Sequence, residues 1–429
     1  MRLGDVLKSS LVRSFLKVGA MRLLSIPVGL AASIILARAL GPEAFGRYAF
    51  VMALVPLLAL PVAAGLPQLL TREAARYSQS GRWGLYHGGV RTAHFWVIAV
   101  SGILVVSYFV GGHVAGLWPT VGKWGLLGLA IFMIPLTGLN AVRNGAIKGL
   151  GHPALAELPS QFMQPALVLI ALGGVYLSGA LTERTAILSQ LAAASVTLVF
   201  ATCLFLKVSP KRLVKAEYQV SHWFYALLPF TLIGFVSTFN NQVGIVLLGV
   251  IGSDESVAAM RVAERGAQFV LLSLSMVNLV ISPSIVRAHR SGDQQRLQRL
   301  SRSSARLSLM IALPIGVLLI GFGKPAISLA FGEDYVSIAY VPLVILVCAQ
   351  IINIFFGSVG QLLSMSGYEK DTLKGQVIAI IVNISLCYIM IPKYGAVGAS
   401  IAVSTGIVTW NILLAILVWK RLSIRPTAL

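Results

Sequence analysis

Charge is what this chain lacks most. Only 11% of its 429 residues are charged, where a soluble globular chain carries roughly 25%. The deficit runs the whole length, and mean hydropathy is +0.85. This excludes an ordinary soluble domain and implies a polytopic membrane protein. Negative charge is scarcer still, with 14 Asp and Glu against 34 Lys and Arg. Cysteine is limited to Cys203, Cys348 and Cys387, each inside an apolar run. Their spacing fits neither a disulfide framework nor a zinc site and leaves them as small packing residues. The six histidines are scattered near span ends without HxxxH pairing, so no metal and no cofactor is expected. The stretch MRLGDVLKSSLVRSFLKVGAMRLL lacks the compact apolar core and cleavage site of a signal peptide. The first apolar run is therefore expected to be kept as a span.

What the chain has instead is long hydrocarbon runs. A bilayer core needs about 20 apolar residues per helix, and about twelve such runs can be counted. They fall near 17–40, 47–70, 91–115, 124–147, 158–180, 185–207, 223–251, 255–284, 304–322, 336–363, 374–391 and 395–419. An even number places both termini on one side. With the termini inside, about 25 basic residues fall on inner segments and about 6 on outer ones, as the positive-inside rule requires. The other three, Arg22, Arg261 and Arg265, lie within spans. Most of the net charge of +20 then faces the anionic cytoplasmic leaflet. It is spread over short loops rather than gathered in a module, which argues against nucleic acid as a partner.

The outer turn Gly41-Pro42-Glu43, in ARALGPEAFGRYAF, has an echo about 211 residues later in Gly252-Ser253-Asp254. A second echo pairs IKGLGHPALAEL (147–158) with LLSMSGYEKDTL (362–373), at an offset of about 216. Two echoes at similar offsets predict a parallel repeat of two six-helix halves, a common plan for transporters. Turn chemistry alone also draws short loops toward Gly and an acid. The expected lobes are residues 1–210 and 211–429, joined by the polar linker KVSPKRLVKAEYQVSH (207–222). The basic stretch SGDQQRLQRLSRSSAR (291–306) reads as an amphipathic helix on the inner surface.

Polar groups inside spans are costly and point to a cavity or to helix–helix contacts. Arg22 precedes a small-residue seam of Ser25, Gly29, Ser33 and Ala37; snorkelling to inner headgroups is the alternative. In span 8, Arg261, Glu264, Arg265 and Gln268 share one face, and Glu264 cannot neutralise both arginines. Asn240, Asn241 and Gln242 lie near the middle of span 7. Gln350, Asn353 and Gln361 lie in span 10, and Asn383 in span 11. Asn140, Arg143, Asn144 and Lys148 give the inner end of span 4 polar and cationic groups. Cations near both mouths suit an anionic headgroup such as a phosphate or pyrophosphate. Glu264 is the one clear carboxylate inside a span, since Glu73 and Glu157 are at boundaries and every Asp is outside. That balance speaks against cationic cargo and makes Glu264 the candidate for ion coupling.

ILARALGPEAFGRYAFVMAL followed by GLPQLLTREAAR resembles the opening of the Wzx-type polysaccharide transporter family, the flippases of O-antigen and lipid-linked oligosaccharides. LLSMSGYEKDTLK with IPKYGAVGASIAVSTG, and SPSIVRAHRSGDQQRLQRL, are similar to later segments of that family. The resemblance implies an all-α fold of the multidrug/oligosaccharidyl-lipid/polysaccharide (MOP) superfamily. It further implies two six-helix lobes, a V-shaped cleft and alternating access, in the inner membrane of a bacterial cell. The implied cargo is an undecaprenyl-pyrophosphate-linked oligosaccharide moved from inner to outer leaflet, with membrane lipids and polysaccharide polymerase or export proteins as partners. The chain departs from the family near NNQVGIVLLG, where relatives often carry an acid and this sequence has Val243 and Gly244. The cleft residues expected to meet the cargo are Arg22, Arg143, Arg261, Arg265, Asn240, Asn241, Gln242, Gln268 and Asn353, and no catalytic residue is expected. A drug or metabolite antiporter of the same superfamily predicts paired buried carboxylates, where this sequence offers only Glu264. A membrane glycosyltransferase or polymerase predicts larger outer loops than these.

Overall fold

The computed structural model describes residues 10–114, 122–210 and 214–428. Among these the chain is all helix, with no strand. In chain order the helices are α1 (Ser10–Leu58), α2 (Leu60–Ala63), α3 (Leu66–Ser80), α4 (Trp83–Val114), α5 (Lys123–Ala130) and α6 (Met133–Gly149). They continue with α7 (Pro153–Leu158), α8 (Gln164–Leu177), α9 (Glu183–Val208), α10 (Val220–Ile251), α11 (Asp254–Arg290) and α12 (Gln294–Gly321). The last are α13 (Gly323–Phe331), α14 (Asp334–Phe356), α15 (Val359–Met365) and α16 (Glu369–Leu422), and a π-helical turn at Pro159–Met163 joins α7 to α8.

Ten stretches among the described residues are long and apolar enough to cross a membrane. Two of them, Val18–Ser80 and Glu369–Leu422, run for 63 and 54 residues. Each carries a glycine whose backbone is not helical: Gly41 at φ 73° and Gly395 at φ 51°. Positive φ is open to glycine at little cost, so the two long helices break there and cross twice, giving the twelve crossings expected. At the first break Pro42 restarts the helix at a position where its missing N–H costs nothing. Glu43 then sits in the first turn, where the helix dipole favours an acid, and binds Arg47. Large apolar side chains that a soluble fold buries lie outside, as at Leu177 (86% exposed) and Leu329 (80%).

The internal repeat is written in the turns. Gly81 and Gly292, 211 positions apart, both have positive φ. Around them the same bonds recur: Arg82 N to Tyr77 O and Trp83 N to Gly81 O in the first half, Asp293 N to Ala288 O and Gln294 N to Gly292 O in the second. Gly151 and Gly367 are also matched, at φ 88° and 84°. His152 N bonds Ile147 O and Tyr368 N bonds Leu363 O, each reaching five residues back. These are Schellman caps, which need a left-handed residue at the turn. Gly122 pairs with Gly332 and Gly179 with Gly395 in the same order. The Gly41 and Gly252 echo fares differently, because Gly252 does not adopt positive φ. It ends α10, and Ser253 then caps α11 by accepting from Ser256 N at 3.2 Å.

The chain divides into two compact units. One takes the described residues up to Leu40 and those from Val51 to Phe239; the other takes Gly41–Phe50 and the residues from Asn240 onward. In the first, Gly145 and Gly149 let α6 lie against Pro67, Leu70, Thr71 and Ala74 of α3, with no room for a Cβ. Small residues at such contacts are the usual way membrane helices approach closely. The linker is not free: Glu217 N donates to Gly84 O at 3.0 Å, and a Cβ on Gly88 would fall 1.7 Å from Glu217 O. In the second unit, Gly266 meets Leu343 and Gly316 meets Ile351 in the same manner.

The basic stretch 291–306 is not a separate surface helix. It forms the first turns of α12, which runs on to Gly321. Leu297 is buried in a cluster with Ile285, Leu363, Val418 and Ile424, so its apolar side is already taken by protein. The C-terminal segment lies along the same turns, with Gln298 Nε2 donating to Arg425 O and Gln298 Oε1 accepting from Arg425 N.

Candidate functional site

In the second unit α11 presents the four polar residues together. Arg261 Nη1 donates to Glu264 Oε2 at 3.2 Å, and Nη2 reaches Ala49 O at 3.4 Å. Arg265 Nη1 lies 3.4 Å from Gln268 Oε1, while its Nε is buried without a hydrogen bond. Glu264 is thus hydrogen-bonded to Arg261, while the buried Nε of Arg265 makes no hydrogen bond. Spacing of three and four residues puts these side chains on one face, and the small residues between them, Ala263 and Ala267, are buried on the other side.

The side chains of Asn240 and Asn241 make no hydrogen bond to protein, and Gln242 has a buried Oε1 without a partner. The neighbouring Val243 is buried, and a Cβ on Gly244 would come within 2.7 Å of Val403. An acid at 244 would be packed against hydrocarbon, so the departure from the family at that position is matched by the packing. Asn353 takes a structural place: its Nδ2 donates to Gln350 Oε1 at 3.0 Å, and its Oδ1 accepts from Asn411 Nδ2 at 2.9 Å. Asn411 is 1% exposed and was not singled out in the sequence; a lone Asn in an apolar span is the signal that marks it. Ser358 likewise donates to Asn278 Oδ1.

In the first unit Arg143 donates from Nη1 to Leu139 O at 2.9 Å and keeps Nε buried without a hydrogen bond. Lys148 is paired with Glu157, and Asn144 Nδ2 holds Ala156 O at 2.8 Å. Of the cations at that end of α6, Arg143 therefore keeps the unused donor. Arg22 is exposed, and the seam that follows it grades through half-buried Ser25 and Gly29 to buried Ser33 and Ala37. Arg143 and Arg265 share one property: a guanidinium with no acid bound to it and a buried N–H unspent. Such a group is matched by a planar or tetrahedral oxyanion.

Together these features define a multi-pass membrane protein built as a repeat of six helices, with unneutralised arginines within its spans. Its fold is that of the MOP superfamily. An inward-facing multidrug resistance MATE family transporter of that superfamily aligns with a TM-score of 0.78 at 14% identity, covering 94% of this chain and 98% of the other. The lipid II flippase MurJ, in an inward closed conformation, aligns with a TM-score of 0.74 at 16% identity over 94% and 87%. The chain belongs to the polysaccharide biosynthesis protein family, which it matches over residues 35–340. A Haloferax volcanii protein named as a low-salt glycan biosynthesis flippase is 22% identical over 85% of this chain and 74% of its own length. A Shigella flexneri protein named as an O-antigen transporter is 22% identical over 91% and 93%.

Proposed function

We propose that this protein is a flippase that carries an undecaprenyl-pyrophosphate-linked oligosaccharide from the inner to the outer leaflet during surface polysaccharide biosynthesis. The observation that carries the reading is the pair of acid-free arginines, Arg143 and Arg265, each with a buried guanidinium N–H unspent. A diphosphate supplies the oxygens those groups lack, and the polar glycan would use the amides of Asn240, Asn241, Gln242 and Gln268, Asn353 being held by Gln350 and Asn411. The two lobes, 1–210 and 211–429, would alternate access around a cationic cleft, with Arg22 and Arg143 met first and Arg261 and Arg265 later. The prenyl chain stays in lipid, and polymerase or export proteins receive the product. The reading is of a transporter rather than an enzyme, as the names of both relatives support. The test is reconstitution: vesicles holding the purified protein and a labelled polyprenyl-pyrophosphate oligosaccharide should expose the glycan to an external lectin. Exposure at the rate of protein-free vesicles would refute the assignment.

The proposed location is the bacterial inner membrane with both termini cytoplasmic. Tags at Asp293 and the C-terminus should report cytoplasm, and tags at Asp254 and Glu333 the outer face, because the basic residues are so unevenly divided. One inverted report would break that topology. If an inward ion gradient drives flipping, Glu264→Gln should abolish the gradient dependence. Unchanged dependence would leave Glu264 as the structural partner of Arg261.

A further inference from the structure

Midway along α3 the first unit holds a carboxylate with one oxygen left without a hydrogen bond. Glu73 is 4% exposed. Its Oε1 takes Arg72 Nε at 3.0 Å and Nη2 at 2.9 Å. Its Oε2 is buried and makes no hydrogen bond, the nearest cation being Arg76 Nη1 at 3.8 Å. His222 Nε2 stands 3.9 Å from Oε1. Burying an acceptor without a close donor is costly; Arg76 and the Tyr77 hydroxyl both act on this carboxylate, yet Oε2 itself completes no hydrogen bond.

Glu73 lines a cavity of about 110 Å³ between α3, α4 and α10, walled otherwise by Leu66, Leu70, Val90, Ala93 and Leu227. Tyr77 and Trp223 join across it, with Trp223 Nε1 donating to the Tyr77 hydroxyl at 2.9 Å. Two lining residues, Trp96 and Phe224, are exposed, as are their neighbours Phe95 and Tyr225, so the cavity opens onto an apolar surface. In sequence Glu73 lies just past the apolar run that ends near 70, at headgroup level. Outside it the guanidiniums of Arg72 and Arg76 and the ring of His222 are about half exposed.

We propose that this is a binding site for an aminophospholipid of the ethanolamine type. The ammonium donates to Glu73 Oε2, the phosphate meets Arg76 and His222, and part of an acyl chain enters the cavity. The three features select this lipid. An anionic glycerol headgroup offers no cation to Oε2. A choline headgroup has no N–H to give. A polyprenyl pyrophosphate adds negative charge without a donor. The inference does not depend on the cargo assigned above.

The full-length protein, purified and delipidated, would be mixed with equimolar ethanolamine, choline and glycerol phospholipids and the retained lipid read by native mass spectrometry. Ethanolamine lipid should be preferred by roughly tenfold, the size of one charge-assisted hydrogen bond. Glu73→Gln should remove that preference, and Ala93→Phe, which fills the cavity, should remove it independently should the first variant fail to fold. Equal retention of the three lipids, a preference for the glycerol lipid, or a preference that survives either folded variant would overturn the proposal. Displacement of the ethanolamine lipid by equimolar polyprenyl pyrophosphate would assign the cavity to cargo instead.

Discussion

Replacing Gly46 with valine is expected to lower the unfolding free energy by about 3 kcal/mol, the upper end of ordinary overpacking costs. The reason is a backbone contact. A Cβ built on Gly46 would lie 1.8 Å from the carbonyl oxygen of Asp254 and 2.5 Å from its carbon. The obstacle is main chain at the start of α11, fixed by the Ser253 cap, so no rotamer change relieves it. Even alanine should therefore destabilise. Gly173 is the control: it is helical and a Cβ there meets nothing within 4 Å, so Gly173→Ala should be neutral or stabilising by up to about 1 kcal/mol. Thermal unfolding of the purified protein in detergent separates the two. Equal midpoints for wild type, Gly46→Ala and Gly173→Ala would refute the contact.

Arg265→Ala should reduce flipping by about tenfold or more, since each charge-assisted hydrogen bond to phosphate is worth about 1.5–3 kcal/mol. It is a cleaner variant than Arg261→Ala. Arg261 holds Glu264 at 3.2 Å and Ala49 O at 3.4 Å, so its removal also strands an acid. Arg265→Ala breaks one hydrogen bond, the 3.4 Å contact to Gln268, and leaves Glu264 its bond from Arg261. The double variant Arg261→Ala, Arg265→Ala should approach a hundredfold loss if the two terms add. Arg265→Lys should keep part of the rate, because lysine supplies charge without the bidentate fork. Full transport by the double variant, shown to be folded and inserted, would make the α11 charges lipid anchors or packing groups.

Particular residues show how far the chain could be read in advance. The face of Arg261, Glu264, Arg265 and Gln268 follows from helical spacing alone, since positions three and four apart must meet. The Arg261–Glu264 pair is therefore legible; the unspent Nε of Arg265 is not, because it depends on what packs around the guanidinium. By its position in an apolar span Asn353 suits a cavity, yet Asn411, 58 positions away, takes it into a helix–helix bond. In sequence Glu73 is a boundary residue, and only packing with α4 and α10 turns it into a buried acid beside a cavity. The stretch 291–306 has a surface-helix pattern, but Leu297 is covered by helices that come much later in the chain.

The membrane class and the twelve crossings were determined by the sequence by itself. They are sums of local transfer free energies, which need no knowledge of neighbours. The repeat was half visible: Gly151 and Gly367 stood out beside similar letters, whereas Gly81 and Gly292 match only as bonded turns. Tertiary structure alone decided why ARALGPEAFGRYAF turns as it does. Gly41 supplies a positive φ and Pro42 a restart, both local. Gly46, five residues on, is required because the carbonyl of Asp254 arrives from 208 positions away. No local preference encodes that contact; it exists only once two distant helix starts share the same few ångströms.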